Sequence, residues 1–215
     1  MSRSQRSALT TIAALALLAI GSAAQAASPT WTIDPNHSSV SFSIRHLFSQ
    51  VHGTFNKFSG TFLYDPQRPE SSSVRVEIDA STISTNQDVR DKDLRSDNFF
   101  DVAKYPTLTF ASTKVAAAGE KKLTVEGNLT MHGVTKPVTL DVSFLGSGKG
   151  MMGEDRSGFE ATTTLNRKDF DIVWNRNLDQ GGTLLGDDVA VHLSIEGYVR
   201  PPSPTDGKTA APSKK

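Results

Sequence analysis

The chain alternates apolar and polar residues on both sides of a two-residue link, and this pattern restricts its fold more than any other feature. Apolar residues fall on odd positions from 123 to 131 and on even positions from 138 to 144. Because successive side chains of a strand point to opposite faces, each half is predicted to be a strand with one apolar face. The link is His132-Gly133, and an X-Gly pair between two such strands predicts a tight β-hairpin.

The same period of two recurs along most of the chain. It predicts further strands around residues 40–44, 51–64, 74–78, 108–110, 159–165 and 189–199. The apolar parity changes near Asn56-Lys57, which predicts a bulge or tight turn there. Gly53 and Gly60 are expected to permit the curvature of a strongly bent sheet.

One segment, residues 85–95, breaks this rhythm and is predicted to be a short helix. Thr85-x-x-Asp88 resembles a capping box. Asp88 with Lys92, and Asp91 with Arg95, have the i,i+4 spacing of stabilising helical ion pairs. Together with Phe99 and Phe100, this charged segment is either a solvated helix face or the polar mouth of an apolar tunnel.

About eight antiparallel strands and one short helical insertion predict an all-β protein. Eight is the number at which a closed barrel has room for side chains or for one small ligand. A two-layer sandwich would show the same alternation, so the pattern alone leaves it open. Long strands and curvature glycines favour the barrel. The eleven phenylalanines of the chain then either fill a solid core or line a tunnel for a long hydrocarbon.

The two ends of the chain have compositions unlike the rest. Residues 1–26 combine two early arginines, an apolar run and Ala24-Gln25-Ala26, which together predict a cleavable secretory signal peptide and a periplasmic location. The apolar run is too short to predict a stable membrane span. Residues 201–215, rich in Pro, Ser, Ala and Lys, are expected to form a disordered tail. One domain, residues 27–200, remains, and without cysteine it must be stabilised by its own core.

Charge and motifs restrict the class of function. With 23 basic and 23 acidic residues, the chain gives no indication of a nucleic-acid partner. It has no GxSxG, HxH, HExxH or CxxC pattern, so we predict neither an enzyme nor a cofactor or metal site. A GxGxxG match at residues 148–153 lies between predicted antiparallel strands and is interpreted as a loop. An enzyme acting on a bound lipid stays open as an alternative.

Ordered motifs spanning roughly residues 31–199 resemble the YceI-like family. They are Trp31-x-Ile-Asp34, His37-Ser-x-Val-x-Phe42, His46-Leu47, Gly53-x-Phe55-x-x-Phe58-x-Gly60, Arg90-Asp91-Lys92-x-Leu94-Arg95-Ser96, Phe99-Phe100-Asp101-Val102-x-Lys104-Tyr105-Pro106, Leu129-Thr130-x-His132-Gly133-Val134-Thr135-Lys136-Pro137-Val138 and Asn166-Arg167-x-Asp169-Phe170. The resemblance implies an extended, lipocalin-like antiparallel barrel that binds polyisoprenoid or similar lipids, typically in the bacterial periplasm. Two residues depart from the family pattern: Asp93 stands where His is common, and Asp171 where Gly is usual.

The resulting hypothesis is a periplasmic carrier that holds a long-chain isoprenoid lipid, such as a prenyl quinone or polyprenyl phosphate, inside the barrel; whether two barrels pair as a homodimer is open. The expected apolar lining is Phe42, Ile44, Phe55, Phe62, Phe99, Phe100, Phe110, Leu129, Leu140, Phe159 and Leu165. The expected polar mouth is His46, Arg90 and Arg95. The alternative is a stress-response or interaction protein with a solid core and no stable ligand.

Overall fold

The computed structural model describes residues 28–199, which form a closed antiparallel β-barrel with one short α-helix. The predicted signal peptide and the predicted tail lie outside the described residues. The strands are β1 (Thr30–Ile33), β2 (Ser39–His46), β3 (Ser49–Phe55), β4 (Phe58–Leu63), β5 (Ser73–Asp79), β6 (Ile83–Ser84), β7 (Thr107–Gly119), β8 (Lys122–Met131), β9 (Val134–Lys149), β10 (Asp155–Asn166) and β11 (Leu185–Val199). Helix α1 (Asp88–Arg95) lies between β6 and β7, and short 3₁₀ helices span Pro69–Ser71, Ala80–Thr82 and Arg167–Phe170.

The eleven strand segments make an eight-stranded barrel because the first three walls are each interrupted. In the first wall β1 is followed by β2, in the second β3 by β4, and in the third β5 by β6. Pairing is antiparallel throughout: β1 pairs with β4, β2 with β3, and β3 with β6. The break between β3 and β4 contains Asn56 and Lys57, as their change of apolar parity predicts.

The barrel closes through β11, which pairs with β10 on one edge and with the first wall on the other. Along that second edge, Tyr198 lies opposite Thr32 of β1, and Val191 lies opposite Phe42 of β2. A sandwich would leave the first and last strands unpaired with each other. The predicted barrel is therefore confirmed, and the sandwich alternative is wrong.

The predicted hairpin is confirmed as β8 and β9. Leu123 lies opposite Val142, and Met131 lies opposite Val134. His132 and Gly133 both have positive φ, 53° and 76°, which is the geometry of a type I′ turn. The hairpin provides two neighbouring strands of the barrel wall. The odd-numbered apolar residues of β8 and the even-numbered apolar residues of β9 face the interior. The GxGxxG match covers the last two residues of β9 and the turn that leads to β10, so it is not followed by a helix.

The predicted helix is present, but its start and its ion pairs differ from expectation. Gln87, not Thr85, is the N-cap, and its side chain accepts a hydrogen bond from the backbone N–H of Arg90. Asp91 is buried, and its carboxylate accepts hydrogen bonds from Thr85 instead of pairing with Arg95. The i,i+4 spacing is local, whereas these partners come from the segment that precedes the helix.

Aromatic side chains fill the barrel at the end away from α1. The ring of Phe62 stacks on Trp31, with centroids 5.9 Å apart, and meets Phe159 edge-on at 5.4 Å. Tyr64 packs against Phe159 and Phe144 at 5.1 and 5.0 Å. These rings pack together at this end of the barrel. We call the opposite end, which carries α1 and the β2–β3 and β8–β9 turns, the α1 end.

Candidate functional site

A single large cavity of about 830 Å³ occupies the barrel lumen. Its walls come from almost every strand, because inward-facing positions recur at every second residue. In the central part these positions are aliphatic or aromatic; they include Val76, Val125, Val138, Val191, Leu193 and Ile195. The volume lies within the range of pockets that enclose a drug-sized or larger ligand.

Several lining side chains are not fully covered by their neighbours. Phe42, Ile44, Phe110, Leu129 and Leu140 face inward, yet each is only half-buried. A solid core would bury such residues almost completely, because protein interiors pack like organic crystals. Their remaining exposure is to the lumen, so the alternative of a solid core without a cavity is wrong.

The structure places all eleven predicted lining residues on the wall of this cavity. They are Phe42, Ile44, Phe55, Phe62, Phe99, Phe100, Phe110, Leu129, Leu140, Phe159 and Leu165. Strand parity was sufficient to find those on strands. Phe99 and Phe100 instead follow α1, and Phe99 packs against Trp174, with ring centroids 5.3 Å apart. Contact of these residues with a ligand stays a prediction.

The lining residues with charged or amide side chains gather at the α1 end. His46, Gln87, Arg90 and Asp93 all line the cavity there. Arg90 donates from Nε to the hydroxyl of Thr85 at 2.7 Å and from Nη2 to the carbonyl of the same residue at 3.0 Å. Two of the three predicted mouth residues, His46 and Arg90, therefore lie where a head group would meet the lumen, and Gln87 and Asp93 join them.

Arg95, the third predicted mouth residue, does not line the cavity. Its guanidinium donates from Nε to the carbonyl of Ser81 and from Nη2 to that of Ile83, each at 2.7 Å. These bonds fasten the last turn of α1 to the 3₁₀ helix and strand that precede it. The charge of Arg95 serves the attachment of the helix, and its assignment to the mouth is corrected accordingly.

Asp91 fastens the other side of α1. Its Oδ1 accepts a hydrogen bond from the backbone N–H of Thr85 at 2.7 Å and another from the Thr85 hydroxyl. Burial alone would raise the pKa of Asp91, but the hydrogen bonds from Thr85 outweigh it and hold the pKa below its usual value. The helix that borders the mouth is thus held by buried polar contacts as well as by packing.

Arg167 is a site residue that the strand pattern did not single out. It lines the cavity, is only 4% exposed, and begins the 3₁₀ helix after β10. Its guanidinium donates to the carbonyls of Gly186, Ile172 and Trp174 at 2.7–2.9 Å and to Asp187 Oδ1 at 3.2 Å. It therefore organises the β10–β11 connection at the α1 end. Its place in an Asn-Arg-x-Asp-Phe motif was the available signal.

One group of possible metal ligands occurs within residues 28–199, outside the lumen. Donor atoms of Asp34, His37 and Glu196 lie within 4.8 Å of one another. Arg156 already provides the positive charge there: Nη1 donates to Asp34 Oδ2 at 2.9 Å and to the carboxylate of Glu196, and Nε donates to Glu154 Oε1 at 2.7 Å. We call these five residues the seam cluster, because they join β1, β10 and β11 where the barrel closes.

Comparison with known proteins places these features in one family. The model of the YceI-like domain matches residues 31–197. A UPF0312 protein of Pseudomonas putida strain GB-1 is 44% identical over 191 residues, which is 87% of this chain and 96% of that protein. A UPF0312 protein of Pseudomonas syringae pv. tomato is 47% identical over 165 residues, covering 75% of this chain and 86% of that protein.

Solved structures share the barrel. Burkholderia cenocepacia BcnA has a TM-score of 0.69 at 24% identity, covering 76% of this chain and 98% of that one. The Campylobacter jejuni YCEI protein has a TM-score of 0.64 at 29% identity, with 74% and 91% coverage. A polyisoprenoid binding domain from Saccharophagus degradans has a TM-score of 0.58 at 18% identity, with 79% and 98% coverage. In the described part of this chain, no helix has the length and apolar character to cross a membrane.

Proposed function

The chain belongs to the YceI-like domain family, and on that premise we propose that it binds a long-chain isoprenoid lipid in its lumen and carries it through the periplasm. The observation that supports this most directly is the cavity of about 830 Å³ in the barrel lumen, whose wall is predominantly apolar. The Saccharophagus domain with the same fold is described as polyisoprenoid binding, which agrees with this ligand class.

The physical basis of binding is removal of the hydrocarbon chain from water. Each buried methylene contributes about 0.8 kcal/mol, so a chain of several prenyl units gains many kcal/mol on entering an apolar lumen. This gain depends little on the head group. Tail length and lumen shape are therefore expected to dominate selectivity, and a prenyl quinone and a polyprenyl phosphate are both candidates.

The mouth is suited to holding a head group. Arg90 provides a cation and Asp93 an anion, and both line the cavity three residues apart on α1. In the described residues the lining groups that can ionise gather mainly at this end, away from the apolar part of the lumen. This arrangement favours binding and carriage over chemistry on the prenyl chain, which would need acid and base groups facing that chain.

The proposal is tested by looking for the lipid itself. The full chain is produced in a bacterial periplasm, purified without detergent, and its organic extract is analysed by mass spectrometry. We expect a stoichiometric isoprenoid lipid. In parallel, farnesol and geranylgeraniol are added to delipidated protein, and tryptophan fluorescence reports binding, because Trp174, one of the two tryptophans, lines the cavity.

A pair of neighbouring variants controls for general damage. Phe110→Glu places a carboxylate in the lumen and should abolish loading, because an unpaired charge is strongly disfavoured beside an apolar ligand. Thr109→Lys places a charge on the adjacent exposed residue, which lies opposite Glu77, and should leave loading intact. Absence of lipid from the extract together with no response to either alcohol would reject the carrier. Equal loading of both variants would remove Phe110 from the site.

A further inference from the structure

Three glycines on the inner wall of the barrel lie beneath phenylalanine rings that line the cavity. Phe42 covers Gly53, Phe62 covers Gly197, and Phe110 covers Gly127. A methyl group built on any of these glycines would overlap atoms of the ring above it. None of the three has a positive φ. They are therefore glycine because of the space that the rings occupy, and backbone conformation does not require it.

The rings cannot simply move along the wall to make room. The ring of Phe42 lies 5.9 Å from that of Phe55, which in turn packs edge-on against Phe100 at 5.6 Å. At the other end, the ring of Phe62 is held between Trp31 and Phe159. Since neighbours occupy the wall on these sides, the free direction for a displaced ring is the lumen.

We propose that these ring–glycine pairs set the bore of the lumen and thereby the length of apolar chain that the protein accepts. A ring seated on a glycine lies against the wall and leaves the centre open. A side chain at the glycine position would push the ring inward and shorten the space available to the ligand. The inference rests on the proposed function and adds specificity-determining residues to it.

The three pairs differ in how cleanly they can be tested. At Gly127 an added methyl would also lie 2.7 Å from the carbonyl oxygen of Ala111, so the backbone itself would have to move. At Gly53 the nearest backbone atom is the oxygen of Ser84 at 3.0 Å, and at Gly197 it is the oxygen of Thr32 at 3.4 Å. Gly53→Ala and Gly197→Ala therefore act mainly through the rings.

The experiment compares the affinities of farnesol, geranylgeraniol and the much longer solanesol, read by tryptophan fluorescence. Gly53→Ala should weaken solanesol binding at least about tenfold while farnesol changes less than about threefold. Phe42→Leu should shift the preference the other way, because it removes part of the ring. Combining Phe42→Leu with Gly53→Ala should restore the wild-type profile and also protects the test against misfolding of the single variant.

The control is Gly148→Ala in β9. Nothing lies within 4 Å of an added methyl there, and the position has no positive φ, so the chain-length profile should stay unchanged. If Gly53→Ala and Gly197→Ala, once shown to be folded, keep the wild-type ratio of solanesol to farnesol affinity, the bore proposal is rejected while the carrier stands. If the wild-type protein binds none of the three alcohols and its extract contains no isoprenoid lipid, the carrier proposal itself fails.

Discussion

Arg167 makes more hydrogen bonds than any other side chain that lines the cavity at the α1 end. Its buried guanidinium donates to three backbone carbonyls and to Asp187. Lys168, the next residue, pairs with the same carboxylate at 2.9 Å but is exposed. The two neighbours thus share an anionic partner while differing in burial, which makes them a matched pair for experiment.

We predict that Arg167→Met lowers the free energy of unfolding by about 3–5 kcal/mol, since it leaves buried polar partners without a donor. Lys168→Met should cost at most about 1 kcal/mol, because exposed ion pairs contribute little. Urea unfolding of both variants measures the difference. Similar losses in the two variants would show that Arg167 does not organise this end of the barrel.

Asp171 stands where the family usually has glycine, and the structure supplies a physical reason for glycine there. It follows the 3₁₀ helix Arg167–Phe170 with φ 59° and ψ 18°, in the left-handed region. An L-residue with a side chain is strained in this region, although Asp tolerates it better than most.

We expect Asp171→Gly to raise the free energy of unfolding by about 0.5–1 kcal/mol, since relief of strain exceeds the added freedom of the unfolded chain. Asp169→Gly, inside the same 3₁₀ helix and without positive φ, should lower it by a similar amount. Thermal unfolding distinguishes the two, and a loss of stability in both would contradict the strain at Asp171.

Among the secondary-structure elements, helix α1 lies outside the sheet and borders the mouth of the cavity. Its polar attachments are Asp91 and Arg90 to Thr85 at one point and Arg95 to Ser81 and Ile83 at another. The remainder of its surface is strongly charged. An element held by few buried contacts is expected to open more easily than the strands around it.

Removing one attachment should therefore release α1 without unfolding the barrel. We predict that Asp91→Ala, which leaves the buried N–H of Thr85 unpaired, speeds amide hydrogen exchange across α1 by roughly ten- to hundredfold. Lys92→Ala, on the exposed face, serves as the control. Exchange that accelerates equally in β8 and β9 would mean that α1 does not open independently.

Strand periodicity predicted most of this architecture because it is a local property of the sequence. The spacing of apolar residues alone predicts the hairpin at His132-Gly133 and the interruption at Asn56. It also predicts that Phe42 and Leu129 face the interior of the barrel. Arg95 and Arg167 could not be placed this way. Their positions in charged segments indicate exposure, and only the folded chain shows that backbone carbonyls 5 to 19 residues away surround their guanidinium groups.

For the molecule as a whole, the seam cluster lies where the barrel closes, and its carboxylates make the free energy of unfolding depend on pH. Asp34 is hydrogen-bonded to His37 and paired with Arg156, and these contacts lower the pKa of Asp34 although burial acts to raise it. Arg156 likewise lowers the pKa of Glu154. Folding lowers the pKa values of both Asp34 and Glu154. The stabilisation that these two carboxylates provide is therefore complete above the pKa of a carboxyl group in the unfolded chain, and it is lost as the pH falls through their pKa values in the folded protein.

We predict that the free energy of unfolding changes little between about pH 7 and about pH 5 through these groups and falls below about pH 4. Arg156→Met should make this acid-dependent fall smaller, because the carboxylates then lose the partner that depresses their pKa. Lys149→Met, which breaks the exposed pair with Asp155, is the control. Urea unfolding as a function of pH provides the measurement; identical slopes for wild type and Arg156→Met would contradict the assignment.

β11, which pairs with β1 and β2 along one edge, also has a consequence for the order of folding. Every other wall pairs with its neighbour in the chain, so those hairpins can form from short segments. Among the strands of residues 28–199, only this ladder joins residues separated by most of the domain, such as Thr32 and Tyr198. Long-range contacts are kinetically slow to form, so we expect the last strand to dock late. Until it does, the chain has an apolar surface but no enclosed lumen, so we expect any ligand to enter only after this strand has docked.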